Sequence, residues 1–192
     1  MRSFAKNAAF GLALLCVLPA LLSYRLRALV LGRDRAIEGS TQALALWPGL
    51  LGEYLRRAFL GAVLDRCDRS ATIGFGTIFS KAGASIAENV VIGPRCHIGL
   101  ATIERDVLIA PGCHLPSGAR IHGTSDTNKA IRDQPGNVTR VVIGEGTWVG
   151  SAAVVMADVG AHSVIAAGAV VHDAIPAGVV AGGVPARVLK RR

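Results

Sequence analysis

Aromatic residues are scarce in this chain of 192: five Phe, two Tyr and two Trp make up 5% of it. A core built on large rings is excluded, and so is a nucleic-acid surface on which aromatics alternate with basic residues. Acidic residues are also few, 13 against 21 basic, leaving a formal charge of +8. That excess suits an anionic ligand or a membrane surface, and no RNA- or DNA-binding motif accompanies it. The four cysteines form no C-x-x-C pair and no metal-ligand spacing, so neither a disulfide framework nor a bound metal is expected. Glycine, in contrast, is abundant, 23 residues, and the hydrophobic content is 51% with a mean hydropathy of +0.45. This is more apolar than an ordinary soluble domain of the same length, and the excess lies near the N-terminus.

The aliphatic residues are ordered. Ile73, Phe79, Ile86, Ile92, Ile98, Ile103, Ile109, Leu115 and Ile121 form one run, and Ile143, Val149, Val155, Val159, Ile165 and Val171 a second, with steps that are mostly six. No helix has that period, and it is far shorter than helical repeats of about 33 to 47 residues. Each six-residue unit is therefore one short strand plus a corner, and three units make one coil of a parallel β-helix of about five coils. The position four after each aliphatic is small or modest (Thr77, Val90, Cys96, Thr102, Val107, Cys113, Ala119, Thr147, Ala153, Ser163, Ala169), as a narrow triangular prism requires. Cys96 and Cys113 thereby read as packing residues.

Residues 7 to 24 carry no formal charge and are flanked by Arg2 and Lys6 before and Arg25, Arg27, Arg33 and Arg35 after. As a helix they reach about 27 Å, at the margin of a hydrocarbon core of about 30 Å. Pro19 is expected to kink or break that helix. A cleaved signal peptide is the rival reading, without a convincing A-x-A site. A second helix is expected from Pro48, with Leu51, Tyr54, Leu55, Phe59, Leu60, Val63 and Leu64 on one side and Arg56 and Arg57 opposed; it either packs on the solenoid end or lies in a membrane surface. The larger positive charge after the first segment favours a cytoplasmic location for the rest, at the inner face of the cell membrane. The expected organisation is a membrane-associating helical region over 1–70, the β-helix over 71–181, and a C-terminal signature with a basic tail over 182–192.

Between the two runs, residues 122 to 140 abandon the period in a polar loop with His122 at its mouth. One interruption of a regular solenoid points to function. An imidazole can take a proton from a hydroxyl at neutral pH, which makes His122 a candidate general base. Asp126 or Asp133 would orient its ring, the alternative for each being a solvated loop charge.

The repeat, this loop, Trp148-Val149-Gly150-Ser151 and the closing stretch from Ile175-Pro176-Ala177-Gly178 through Gly182-Gly183-Val184-Pro185-Ala186-Arg187 together resemble the left-handed β-helix acetyltransferases of the hexapeptide-repeat superfamily, over roughly residues 71 to 190. That group includes galactoside, maltose, virginiamycin and polysaccharide O-acetyltransferases. The resemblance implies the left hand of the helix, a homotrimer with active sites at subunit clefts, acetyl-CoA as donor and an acceptor hydroxyl. Ser117-Gly118-Ala119-Arg120-Ile121-His122-Gly123 matches the stretch that carries the catalytic histidine in these enzymes. Trp148 and Ser151 match the strand beside the CoA arm; Ser151, Ala153, Ala167 and Gly168 would line the pantetheine channel; Arg187, assisted by Lys190, would meet the CoA phosphates. The chain departs from the pattern in carrying Ile121 where a polar residue is usual, and in a unit from Val155 to Val159 that is two residues short. The apolar N-terminus favours an acceptor that is a lipid-linked sugar or a precursor of a cell-surface polysaccharide. A small-molecule acceptor of the serine or antibiotic type, a metal-dependent hydratase using His97, His114 and His122, and a membrane-attached scaffold without activity are the competing readings.

Overall fold

The computed structural model describes residues 2–192, with side chains from residue 8 onward, so the side chains of Arg2 and Lys6 lie outside the described residues. Three helices come first: α1 (Arg2–Leu31), α2 (Arg33–Ala45) and α3 (Gly49–Val63). The rest of the chain winds into a parallel β-helix with three sheets. β1 (Arg66–Cys67), β4 (Ser85–Ile86), β7 (Ala101–Ile103) and β10 (Val141–Ile143) form the first sheet. β2 (Thr72–Ile73), β5 (Val91–Ile92), β8 (Leu108–Ile109), β11 (Trp148–Val149), β13 (Val164–Ile165) and β15 (Val179–Gly183) form the second, closed by β16 (Ala186–Arg191). β3 (Ile78–Phe79), β6 (His97–Ile98), β9 (His114–Leu115), β12 (Val154–Val155) and β14 (Val170–Val171) form the third.

The six-residue period builds this directly. Ile73, Ile92, Ile109, Val149, Ile165 and Ala181 pair in register up the second sheet, and all are fully buried. Burying one such aliphatic is worth about 1.5–3 kcal/mol, so the stack supplies its own core turn by turn. At the corner after the second sheet the chain bends through one positive-φ residue per turn: Gly76, Arg95, Gly112, Ala152 and Gly168. For Arg95 and Ala152 that conformation costs about 1 kcal/mol or more relative to glycine.

Several expectations change. Six parallel strands stack in the second sheet, so the solenoid has about six turns rather than five, because β15 continues the stack instead of starting a separate tail. Thr102 faces outward and Ala101 takes the buried slot, because the step from Ile98 to Ile103 is one residue short. The first run ends at Leu115; Ile121 is exposed and Ala119 lies outside the prism, since the chain leaves the coil from Pro116 onward. The short unit before Val159 does not disturb register: Val159 bridges Ile143 below and Ile175 above.

α1 runs as one helix through Pro19 and is not broken there. Proline removes a hydrogen bond to the carbonyl of Leu15, which lies on the exposed side, while Ala13, Val17 and Tyr24 pack on the other side and hold the axis. Tyr24 meets Phe59 of α3 edge to face, with ring centroids 5.9 Å apart. Arg56 does not oppose the apolar side of α3 but is part of it. Its Nε donates to Ile73 O at 2.9 Å and its Nη1 to Trp47 O at 2.8 Å, so α3 is bolted to the solenoid's first turn. Burial lowers the Arg56 pKa, with Glu53 opposing that shift.

Candidate functional site

After β12 and β14 the corner from the third sheet to the first is the tightest in the molecule. Only Met156, Ala157 and Asp158 separate Val155 from Val159, and His172, Asp173 and Ala174 separate Val171 from Ile175. The long excursion from Pro116 to Arg140 hangs on this same corner, between β9 and β10. Its neck is closed by Thr139 N–H donating to Ser117 O at 2.9 Å and by Leu100 N–H donating to Ser117 Oγ at 2.9 Å. Farther out, Asn137 N–H donates to Arg120 O at 2.6 Å. Gly136 then packs so closely that a Cβ there would overlap Ile121 O and sit 2.6 Å from His122 N. A Cβ on Gly123 would lie 2.6 Å from Pro135 O. The backbone on both sides of His122 is thus gripped by the returning strand of the loop, while its ring is exposed.

Gln134 organises the outer half. Although in a polar loop, it is buried, donating through Nε2 to Asp126 O at 2.8 Å and Lys129 O at 3.0 Å, while its Oε1 accepts from Asp126 N–H at 3.1 Å. Asp126 turns its carboxylate to Asn128 N–H at 3.0 Å and Lys129 Nζ at 3.7 Å; Asp133 lies 3.7 Å from Arg132 Nε. Among the described residues neither carboxylate hydrogen-bonds His122. Nothing in the sequence distinguishes Gln134 from a solvated loop amide, whereas the Pro135-Gly136 pair signals the tight return.

A second arrangement lies on the corner after the second sheet. Arg95, Gly112, Ala152 and Gly168 donate their amides one turn down, to Phe75 O, Pro94 O, Pro111 O and Ser151 O, at 2.8–2.9 Å. The residues just before them on successive turns are Phe75, Pro94, Pro111, Ser151 and Ala167. Proline is accepted twice here because this position's N–H has no role in the ladder. After the fourth and fifth strands of the sheet the position is filled by Ser151 and Ala167, whose amides have no partner among the described residues and stand on an exposed corner. The result is a pair of free donors about one strand spacing apart, roughly 4.8 Å.

The remaining candidates divide. Trp148 is 49% exposed on the outer face of the second sheet, between Leu108 and Val164 and one residue short of this corner. Gly168 sits on the corner with its amide bonded to Ser151. Ala153 is enclosed in the prism and its amide bonds Gly150 O at 3.3 Å, so it presents nothing outward. Arg187 and Lys190 ride on β16, which turns back antiparallel on β15. The Arg187 guanidinium reaches Asp173 at 3.2 Å. Hydrogen bonding from His172 is the largest influence and, with desolvation opposing and Arg187 adding to the lowering, holds the Asp173 carboxyl below its ordinary range. His97 and His114 stack on the third sheet with ring centroids 6.2 Å apart. Among the described residues no three His, Cys, Asp or Glu side chains converge as a metal site requires.

No protein-family model and no curated protein sequence matches the chain. Solved structures do. A maltose O-acetyltransferase from Clostridium difficile 630 superposes with a TM-score of 0.71 at 19% identity, over 82% of this chain and 87% of that one. A hexapeptide-repeat acetyltransferase from Vibrio cholerae O1 biovar eltor, complexed with acetyl coenzyme A, gives 0.72 at 20%, over 85% and 91%. The chain has the fold of the hexapeptide-repeat acetyltransferases. A galactoside acetyltransferase in complex with coenzyme A adds a TM-score of 0.68 at 22% identity, over 89% and 82%. These shares exceed the solenoid alone, so the shared fold extends into the helical cap.

Proposed function

We propose that this protein is an acetyl-CoA-dependent O-acetyltransferase acting on a sugar hydroxyl, with His122 as general base. The observation that carries the reading is the pair of outward amides at Ser151 and Ala167. A pantetheine arm is extended and bears two amide carbonyls, and stacked backbone donors suit it. Trp148 flanks the arm, and Arg187 and Lys190, one turn farther up the same end, suit its phosphates. The fold shared with structures that hold coenzyme A or acetyl coenzyme A supports the same donor.

In the proposed step His122 accepts the proton of the acceptor hydroxyl as its oxygen bonds to the thioester carbon. A backbone amide at the second corner or the Ser151 hydroxyl stabilises the charge on the carbonyl oxygen. As the carbon–sulfur bond breaks, His122 returns the proton to the sulfur, so acetyl ester and free thiol are produced in equal number.

His122 and Ser151 stand on different corners, separated by the face of the third sheet, and no hydrogen bond joins the loop to the Ser151 corner among the described residues. An active site made of both therefore suits a homotrimer in which one subunit's loop meets its neighbour's corner. Val91, Leu108 and Trp148, each 39–49% exposed in one stripe, supply an apolar face for such contact.

The acceptor we favour is a lipid-linked sugar or cell-surface polysaccharide precursor, handled at the cytoplasmic face of the membrane. Within α1, Ala8–Leu31 is 24 residues long with a hydropathy of 1.8, enough by length to cross a bilayer. One side of it packs on α2 and α3, which favours a helix lying in the membrane surface over one that spans it. The test is acetyl transfer from acetyl-CoA to sugar acceptors, read by thiol release. His122→Ala should lose about 10²–10⁴-fold in turnover while keeping its oligomeric state. Near-normal turnover would overturn the assignment.

A further inference from the structure

The helical cap contains a groove of about 550 Å³, in the range that holds small ligands. Pro19 and Ala20 of α1, Ala43 and Leu44 of α2, and Trp47 and Leu51 at the start of α3 give it apolar walls. One charged side chain lines it. Arg27 is held there by Ser40 Oγ at 2.7 Å and Ser23 O at 3.3 Å, and no carboxylate pairs with it among the described residues.

The surroundings say what the groove faces. Leu15, Leu22, Leu26 and Leu29 are 58–84% exposed. At 3.6 residues per turn they form a stripe next to the Pro19 and Ser23 wall and away from buried Ala13, Val17 and Tyr24. A bilayer that covers this stripe also covers the mouth of the groove. The Arg27 end has a direction as well. Past the C-terminal end of α1, at the start of α2, Arg33 lies 3.5 Å from Asp65, whose other oxygen lies 4.0 Å from Arg140 at the exit of the His122 loop. The cationic end of the groove is therefore the end nearer that loop.

We infer that the groove takes the hydrocarbon tail of an anionic, phosphate-headed membrane lipid, with Arg27 at the headgroup. A wholly neutral chain would leave Arg27 without a counter-charge, and a second copy of this protein would bring another cation to it. The inference deepens the proposed function and rests on its lipid-borne acceptor: the headgroup of such a lipid would emerge on the side of the cap that carries the loop.

Trp47 lines the groove, so it can report occupancy. The full chain carrying Trp148→Phe has Trp47 as its sole indole. It is mixed with vesicles of phosphatidylcholine and phosphatidylglycerol in one fixed ratio, with brominated chains placed on one lipid or, at equal total bromine, on the other. Stronger quenching of Trp47 is expected when phosphatidylglycerol carries the bromine. Arg27→Gln, which removes the charge, and Ala43→Phe, which fills the groove from an exposed position, should each abolish the difference while both proteins still sediment with vesicles and keep native circular dichroism. Equal quenching from the two lipids, no quenching, or a difference that survives either folded variant overturns the inference. Thiol release with a soluble sugar acceptor reads the acyltransferase proposal alone, so the two failures are distinguishable.

Discussion

Thr139 donates its amide to the carbonyl of Ser117 at 2.9 Å, so the chain leaves and re-enters the solenoid at a single point. Under the proposed function, stability and chemistry are thereby separated. Replacing residues 118–138 by two glycines should leave thermal unfolding within a few degrees of the parent, because no core aliphatic is removed, and should reduce acetyl transfer by at least about 10²-fold. Calorimetry and thiol release on the same sample check both halves.

Gly136 is a positioning residue in this scheme. Its missing side chain is what lets the return strand pass Ile121 and His122, so Gly136→Ala must push the His122 backbone outward. A displacement of about 1 Å can cost about 10²-fold in rate. The expected result is a fall of that order in kcat with KM for acetyl-CoA unchanged; a variant that raised KM alone would argue against the role.

Proline already stands at Pro94 and Pro111, which makes the donor corner testable without disturbing the turn. Ala167→Pro should fold, since Ala110-Pro111 is an equivalent pair two corner positions lower in the stack. It removes a single N–H, a loss of about 1 kcal/mol, or roughly fivefold in KM for acetyl-CoA. Unchanged KM would remove this amide from the donor site.

Arg56 is the bolt between α3 and the first turn. Arg56→Met leaves the carbonyls of Ile73 and Trp47 without their partner, and a loss of about 2–4 kcal/mol is expected from denaturant melts. If stability is unchanged, the cap is held without Arg56, by apolar packing and by its other polar contacts such as Thr41 Oγ1 to Phe79 O at 3.2 Å and Ala82 N–H to Asp34 at 3.0 Å.

Burial, the largest influence, and the nearby His114 hold the His97 ring below the ordinary imidazole pKa, with Glu38 opposing. The folded chain then binds fewer protons than the unfolded chain between the two values. Stability is complete above the ordinary imidazole range and declines as pH falls through it toward the depressed value. Melting temperature should drop between about pH 7.5 and about pH 5.5, and His97→Asn should flatten that slope.

Much of this was legible because a solenoid writes its geometry into its period: from Ile73 to Val171 nearly every inward side chain is named by counting in sixes. The pattern misleads at Ala119 and Ile121, which keep the spacing after Pro116 has already taken the chain out of the prism. It also hides Thr102, where a one-residue slip exchanges inside for outside. Arg56 reads as a solvent-facing charge because sequence does not show that backbone carbonyls from the end of α2 and from β2 converge on it. In the candidate site, His122 and Ser151 stand out by composition and resemblance. Gln134 and Gly136 do not, since their importance comes from what lies across the loop.

A parallel stack has no intrinsic length: its last rung offers a bare edge on which another chain can continue. Here β16 doubles back against β15 and ends the growth direction, while α3 and Arg56 plug the opposite face. Both termini of the column are stoppered by elements that are not repeats, so the molecule is a ruler cut to fixed size. Shortening the chain before Ala186 would unstopper one end and turn a discrete enzyme-sized column into a seed for filaments.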